Sequence, residues 1–95
     1  MIVLGLDAST SATGWSIFND GELIECGLVK PKSGDWRERI KVIHDELKII
    51  VKKFNIEKVY IEDVPMEQKN IDTLHKLSVL QGWLCSMFDE CNISV

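Results

Sequence analysis

The chain has 95 residues, 45% of them hydrophobic and 27% charged, with a net charge of −4. That is enough for one small domain with one core and too little for two, and the balance excludes a disordered chain. No apolar run approaches the ~20 residues of a membrane span, and the opening MIVLGLD lacks the basic segment of a secretion signal, so a cytoplasmic protein with no membrane segment is expected.

Ile2 to Leu6 is a short apolar run ending at Asp7. It reads as a central strand buried on both faces. Thr13 to Phe18 is a second strand, and Asn19-Asp20-Gly21 is the strongest hairpin signal in the chain, returning Leu23 to Val29 as a third. Pro31, Ser33 and Gly34 then form a loop. From Asp35 the period changes: Trp36, Ile40, Ile43, Leu47, Ile50, Val51 and Phe54 recur at helical spacing, with Ser33 or Asp35 as N-cap and Asn55 near the end.

KVYIED, Lys58 to Asp63, is a fourth strand ending in carboxylates and stopped by Pro65. Asn70 is placed to cap a second helix whose Leu74, Leu77, Leu80 or Gln81, Leu84 and Met87 or Phe88 share one face, with Asn92 breaking it and Ile93 to Val95 starting a further strand. The order predicts an α/β fold: a three-stranded antiparallel meander, then a parallel strand and helices. The three cysteines, Cys26, Cys85 and Cys91, show no CxxC and read as free thiols acting as small hydrophobes.

A carboxylate closing a buried strand costs several kcal/mol or is neutralised unless it has a partner. A right-handed crossover through the first helix lays KVYIED parallel to the opening strand, which sets Asp7 and Glu62 at the carboxyl ends of neighbouring strands, about 4.8 Å apart, where ligands of open sheets collect. Two carboxylates there repel unless a cation lies between them. Hard oxygen donors with no His or Cys at ligand spacing favour Mg²⁺ or Mn²⁺ over zinc. Asp63, one step along the strand, faces the other way. In the alternative structural reading, Asp7 accepts backbone hydrogen bonds from the loop at Ser9 to Ser11.

These residues resemble a known family. IVLGLDAST followed by TGWSIF, then VYIEDVPMEQKN and LHKLSVLQGWL, are similar to RuvC-type Holliday-junction resolvases, especially the compact phage-like branch, over nearly the whole chain. The resemblance implies one RNase H-like nuclease domain over residues 1–95, truncated at its C-terminus. It implies a Mg²⁺-dependent endonuclease acting as a homodimer on branched, four-way DNA. It assigns metal binding and catalysis to Asp7 and Glu62, DNA contact to Lys69 and Asn70 and to Ser9 and Thr10 of the loop after Asp7, and dimerisation to the stretch around Leu77 to Leu84.

The chain departs from the family in ending before the helix that supplies further acids, in having Pro65 and Met66 where relatives carry a stacking aromatic, and in having Ala8-Ser9 rather than Pro-Gly. The fragment alone is therefore expected to be inactive. The rival readings are a nucleotide-binding piece of an actin, heat-shock ATPase or sugar-kinase-like protein, with Ser9, Thr10, Ser11 and Thr13 cradling phosphate, and a non-enzymatic dimerisation domain. Among the remaining residues, His44 and His75 read as helix-surface or satisfied core side chains, and Trp36 and Trp83 as core or dimer contacts. Arg37, Arg39, Lys41 and Lys48 read as a solvated face.

Overall fold

The computed structural model describes residues 1–62, 71–88 and 90–94, with backbone only for Glu62 and residues 90–94. In chain order the elements are β1 (Ile2–Asp7), β2 (Thr13–Asn19), β3 (Glu22–Val29), α1 (Trp36–Phe54), β4 (Lys58–Glu62), α2 (Ile71–Cys85) and β5 (Glu90–Ser94). The strands form one mixed sheet in the order β3-β2-β1-β4-β5. The β1–β2 and β2–β3 pairs are antiparallel, and the β1–β4 and β4–β5 pairs are parallel.

The meander forms because Asp20 and Gly21 both adopt positive φ, 51° and 84°. A two-residue turn of that kind matches the twist of the strands it joins. Asn19 and Glu22 close it as a pair. At the same end of the sheet the Met1 ammonium lies 3.2 Å from Asp20 Oδ1.

Strand alternation sorts the side chains onto two unlike faces. Leu4, Leu6, Ile17, Val59 and Ile61 turn inward and form the core with Ile40, Ile43 and Leu47 of α1 and Leu80 and Leu84 of α2. The other face carries Gly5, Asp7, Gly14, Ser16, Leu28 and Tyr60 in register. No described helix covers it, and Leu28 and Tyr60 are 61% and 43% exposed. The reading of β1 as buried on both faces is thus corrected. It is central in the sheet, but its second face is built from Gly5 and an exposed Asp7.

Asp35 is the N-cap of α1, its carboxylate accepting the Arg37 N–H at 3.0 Å. Ser33 supports it, its hydroxyl accepting the Asp35 N–H at 3.1 Å and donating to Glu38 at 2.9 Å. Asn55 ends the helix in the left-handed region, φ 52°, with its N–H on the Val51 carbonyl, a conformation asparagine tolerates better than most residues.

The second helix is shorter than its apolar pattern suggests. It stops at Cys85, and the Met87 and Phe88 N–H groups bond three residues back to the Leu84 and Cys85 carbonyls. Pairing with β4 then takes Glu90 to Ser94 into β5, so Asn92 lies in a strand rather than breaking a helix. Cys85 is disulfide-bonded, against the expectation of three free thiols. Cysteine count and spacing alone do not reveal such a bridge. Cys26 is free, as read, but it is exposed rather than packed as a small hydrophobe. No described helix is long and apolar enough to cross a membrane.

Trp15 joins the edge of the core, and its indole lies over Gly27, the residue it pairs with in β3. A Cβ at position 27 would stand 2.5 Å from Trp15 Cζ2, which no rotamer change of a rigid ring absorbs without loss of packing. Gly27→Ala is expected to lower stability by about 1–3 kcal/mol in urea unfolding. An unchanged midpoint would show that Trp15 is not seated there.

Candidate functional site

Every element that approaches Asp7 does so at one rim of the sheet. Asp7 is the last residue of β1 and pairs with Gly14, the second residue of β2. Across the parallel pair, Leu6 sits beside Ile61. The next residue on each strand, Asp7 on β1 and Glu62 on β4, therefore ends its strand at the same rim. The spacing of adjacent strands is about 4.8 Å. The side chain of Glu62, and Asp63, Lys69 and Asn70 as a whole, lie outside the described residues.

Asp7 is exposed, so the premise of a buried carboxylate that must find a partner does not hold. Its surroundings explain the exposure. Gly5 and Ser16 precede it on its face, and Gly14 lies opposite, where an added Cβ would stand 3.8 Å from Asp7 Cβ. With Tyr60 they line an open depression of about 560 Å³. The carboxylate therefore stands at the edge of a low floor made of glycine and serine, open to approach from solvent.

The loop after Asp7 is braced from two sides. Thr13 is fully buried, and its hydroxyl donates to the Ser9 carbonyl at 2.8 Å while accepting the Ser9 N–H at 3.3 Å. The Ser11 N–H is taken by Ser9 Oγ at 3.3 Å. From α1, Arg39 Nε donates to the Thr10 carbonyl at 3.0 Å, and its Nη1 donates to the Ser33 and Gly34 carbonyls at 3.2 and 2.9 Å. One guanidinium thus ties the β1–β2 loop to the loop before α1.

Two expectations change here. Arg39 is half-buried and braces the loop rather than standing on a solvated face. The Ser9 and Ser11 N–H groups bond within the loop, and no hydrogen bond or ion pair to the Asp7 carboxylate occurs among the described residues. The turn-capping role for Asp7 thus has no support. Thr13 and Arg39 are the supporting residues that sequence reasoning missed. A threonine at the head of a strand and one arginine among several on a helix carry no distinguishing signal.

The described residues contain no group of three His, Cys, Asp or Glu side chains able to hold a metal ion together. The donor set at the rim is nevertheless suited to a hard divalent cation. Asp7 offers oxygen ligands not already committed to a described donor, and the glycine floor leaves room beside it. Thr13→Val keeps the side-chain volume but strands the Ser9 backbone groups. It is expected to destabilise the protein by about 1–3 kcal/mol and to raise amide exchange at Ser9 first. Exchange at Ser9 no faster than in the parent would remove Thr13 as the brace.

Comparison with known proteins places this geometry. The family model for crossover junction endodeoxyribonuclease RuvC matches residues 3–95. RuvC of Nitratidesulfovibrio vulgaris is 31% identical over 84 residues, covering 84% of this chain and 50% of that protein. RuvC of Campylobacter lari is 34% identical over 88 residues, covering 88% and 55%. The chain thus spans about half the length of these relatives. The solved structure of T. thermophilus RuvC in complex with a Holliday junction substrate superimposes with a TM-score of 0.81 at 18% identity, over 98% of this chain and 64% of that one. The mixed sheet is therefore RNase H-like, as the resemblance implied, and the chain belongs to the RuvC family of crossover junction endodeoxyribonucleases.

Proposed function

We propose that this chain forms the metal-binding and DNA-facing rim of a Mg²⁺- or Mn²⁺-dependent endonuclease that resolves four-way DNA junctions. The observation that carries the reading is the Leu6–Ile61 register, which ends two adjacent parallel strands in Asp7 and Glu62, with Asp7 exposed over a glycine floor. Family membership supports the activity, and the structural relative held a Holliday junction substrate.

In this reading Asp7 and Glu62 hold the divalent ion. A bound ion of this kind stabilises charge on the phosphoryl oxygens during displacement and lowers the pKa of attacking water. The residues of the chain do the rest. Arg39 and Thr13 hold Ser9 and Thr10 in the loop that follows Asp7, which in this reading meets the phosphate backbone. Lys69 and Asn70 follow Glu62 in sequence and approach the same DNA. Among the described residues no third acid or His joins Asp7 in a metal-holding group, and in this reading the chain binds a junction without cutting it.

A homodimer is the proposed assembly, on the outward side of α2. Leu80 and Leu84 are spent on the core, so within the Leu77 to Leu84 stretch the exposed Ser78 and Gly82 mark the face left for a second copy. The phosphate-cradling alternative fares worse, because the Ser9 and Ser11 N–H groups it would use already have partners inside the loop.

Mn²⁺ titration followed by nuclear magnetic resonance tests the site. Paramagnetic broadening is expected first at Asp7, Gly14 and Glu62, and Asp7→Asn should weaken it more than about tenfold. Broadening centred elsewhere would refute the placement. With a synthetic four-way junction in Mg²⁺, the chain is expected to shift the DNA without measurable cleavage. Cleavage that disappears in Asp7→Asn would instead show that these 95 residues hold a sufficient ligand set.

A further inference from the structure

On the helical side of the sheet, a cleft of about 360 Å³ runs between α1 and α2. Its walls are apolar, from Trp36 and Ile40 on one helix and Val79 and Trp83 on the other, with Arg37 and Lys41 at its lip. Trp83 remains 47% exposed, although its helix is anchored by Leu80 and Leu84. Its ring meets His44 edge-on at 5.4 Å between centroids, which holds the indole as a wall of the cleft. A space of this size accepts one large apolar side chain.

The charge around it is mostly positive, with Glu38 in the cleft wall and Asp45 3.2 Å from His44 Nδ1. Arg37, Lys41, His44, Lys48 and Lys52 follow one another at steps of four, three, four and four, so they share one flank of α1 over about 22 Å of helix. That flank faces α2: Arg37 and Lys41 border the cleft, and His44, Lys48 and Lys52 border the next depression along the helix pair, beside Met87. Among the described residues no carboxylate forms an ion pair with Arg37, Lys41, Lys48 or Lys52. The acid in the cleft wall, Glu38, accepts a hydrogen bond from Ser33. In a chain of net charge −4, this is a local concentration of cations around an apolar cleft.

We propose that this cleft docks an acidic peptide segment of a partner protein, which inserts one apolar side chain between Trp36 and Trp83 and sets its carboxylates along the α1 cations. Charge complementarity selects the acid, and the apolar walls select a peptide over a nucleic acid. A phosphate backbone needs the cations but gains nothing from Ile40 and Val79. Base stacking needs a bare ring face, whereas the Trp36 ring already carries Arg37 at 5.2 Å and Lys76 at 5.7 Å. The proposal is independent of the site at the strand ends.

The test is a titration of the 95-residue chain with the peptide acetyl-Glu-Asp-Asp-Leu-Phe-Glu-Asp-amide, read by tryptophan fluorescence. Saturable binding is expected. It should weaken by about tenfold or more in Arg37→Glu/Lys41→Glu and when Leu and Phe of the peptide are replaced by Ala. Lys53→Glu, on the far side of α1, should change it less than twofold, a limit set by its distance from the cleft. Equal binding of the alanine peptide, or no loss in the double reversal, would overturn the proposal. So would displacement of the peptide by a short DNA duplex that itself depends on Arg37 and Lys41, which would make the flank a nucleic-acid surface. Self-association of the chain abolished by the same double reversal would assign the cleft to a second copy and overturn it equally.

Discussion

The parallel pairing of β1 with β4 is the constraint on which the rest of the molecule depends. Leu4 and Leu6 lie beside Val59 and Ile61, all four buried, and together they make the floor on which α1 and α2 pack. A slip of β4 by one residue would turn Val59 and Ile61 to the open face and take half of that floor from the helices. The same register delivers Asp7 and Glu62 to one rim. The placement of the two acids at one rim is therefore not separately encoded. It follows from the hydrophobic contacts that stabilise the domain, so whatever preserves the core preserves the rim.

The one-sided core divides the labour between the two faces of the sheet. The helical face carries the apolar burial, while the other is free to be small and polar around Asp7, with Gly5, Gly14 and Ser16 contributing little bulk. The precision at the rim comes instead from polar bracing. Thr13 and Arg39 satisfy backbone groups of the β1–β2 loop, and Arg39 reaches two separate loops with one planar group, a geometry that a lysine does not reproduce.

The sequence was readable where one residue type answers one local demand. Asp20-Gly21 marked its turn because positive φ at two successive positions is costly for most other pairs. The α1 span followed from the spacing of Ile40, Ile43 and Leu47, and the crossover rule placed Glu62 beside Asp7. What could not be read depends on a second layer or on distant partners. The apolar run of β1 looks the same whether one or two faces are covered, so the exposure of Asp7 was missed. Met87 and Phe88 continue the helical pattern of α2, yet β5 pairing claims the residues that follow. Among the α1 cations, spacing alone did not separate Arg39, which meets loop carbonyls, from Arg37 and Lys41, which border the inter-helix cleft.

The exposed ion pair between the Met1 ammonium and Asp20 marks where the chain enters the sheet. Six residues of strand separate that point from Asp7, about 20 Å at the usual rise, and the two ends of β1 open onto opposite edges of the sheet. A reporter or affinity handle joined ahead of Met1 would trade one exposed surface contact for its own bulk while standing clear of the rim. The amino end is thus the position from which this protein can be immobilised on a sensor with its acidic edge turned outward.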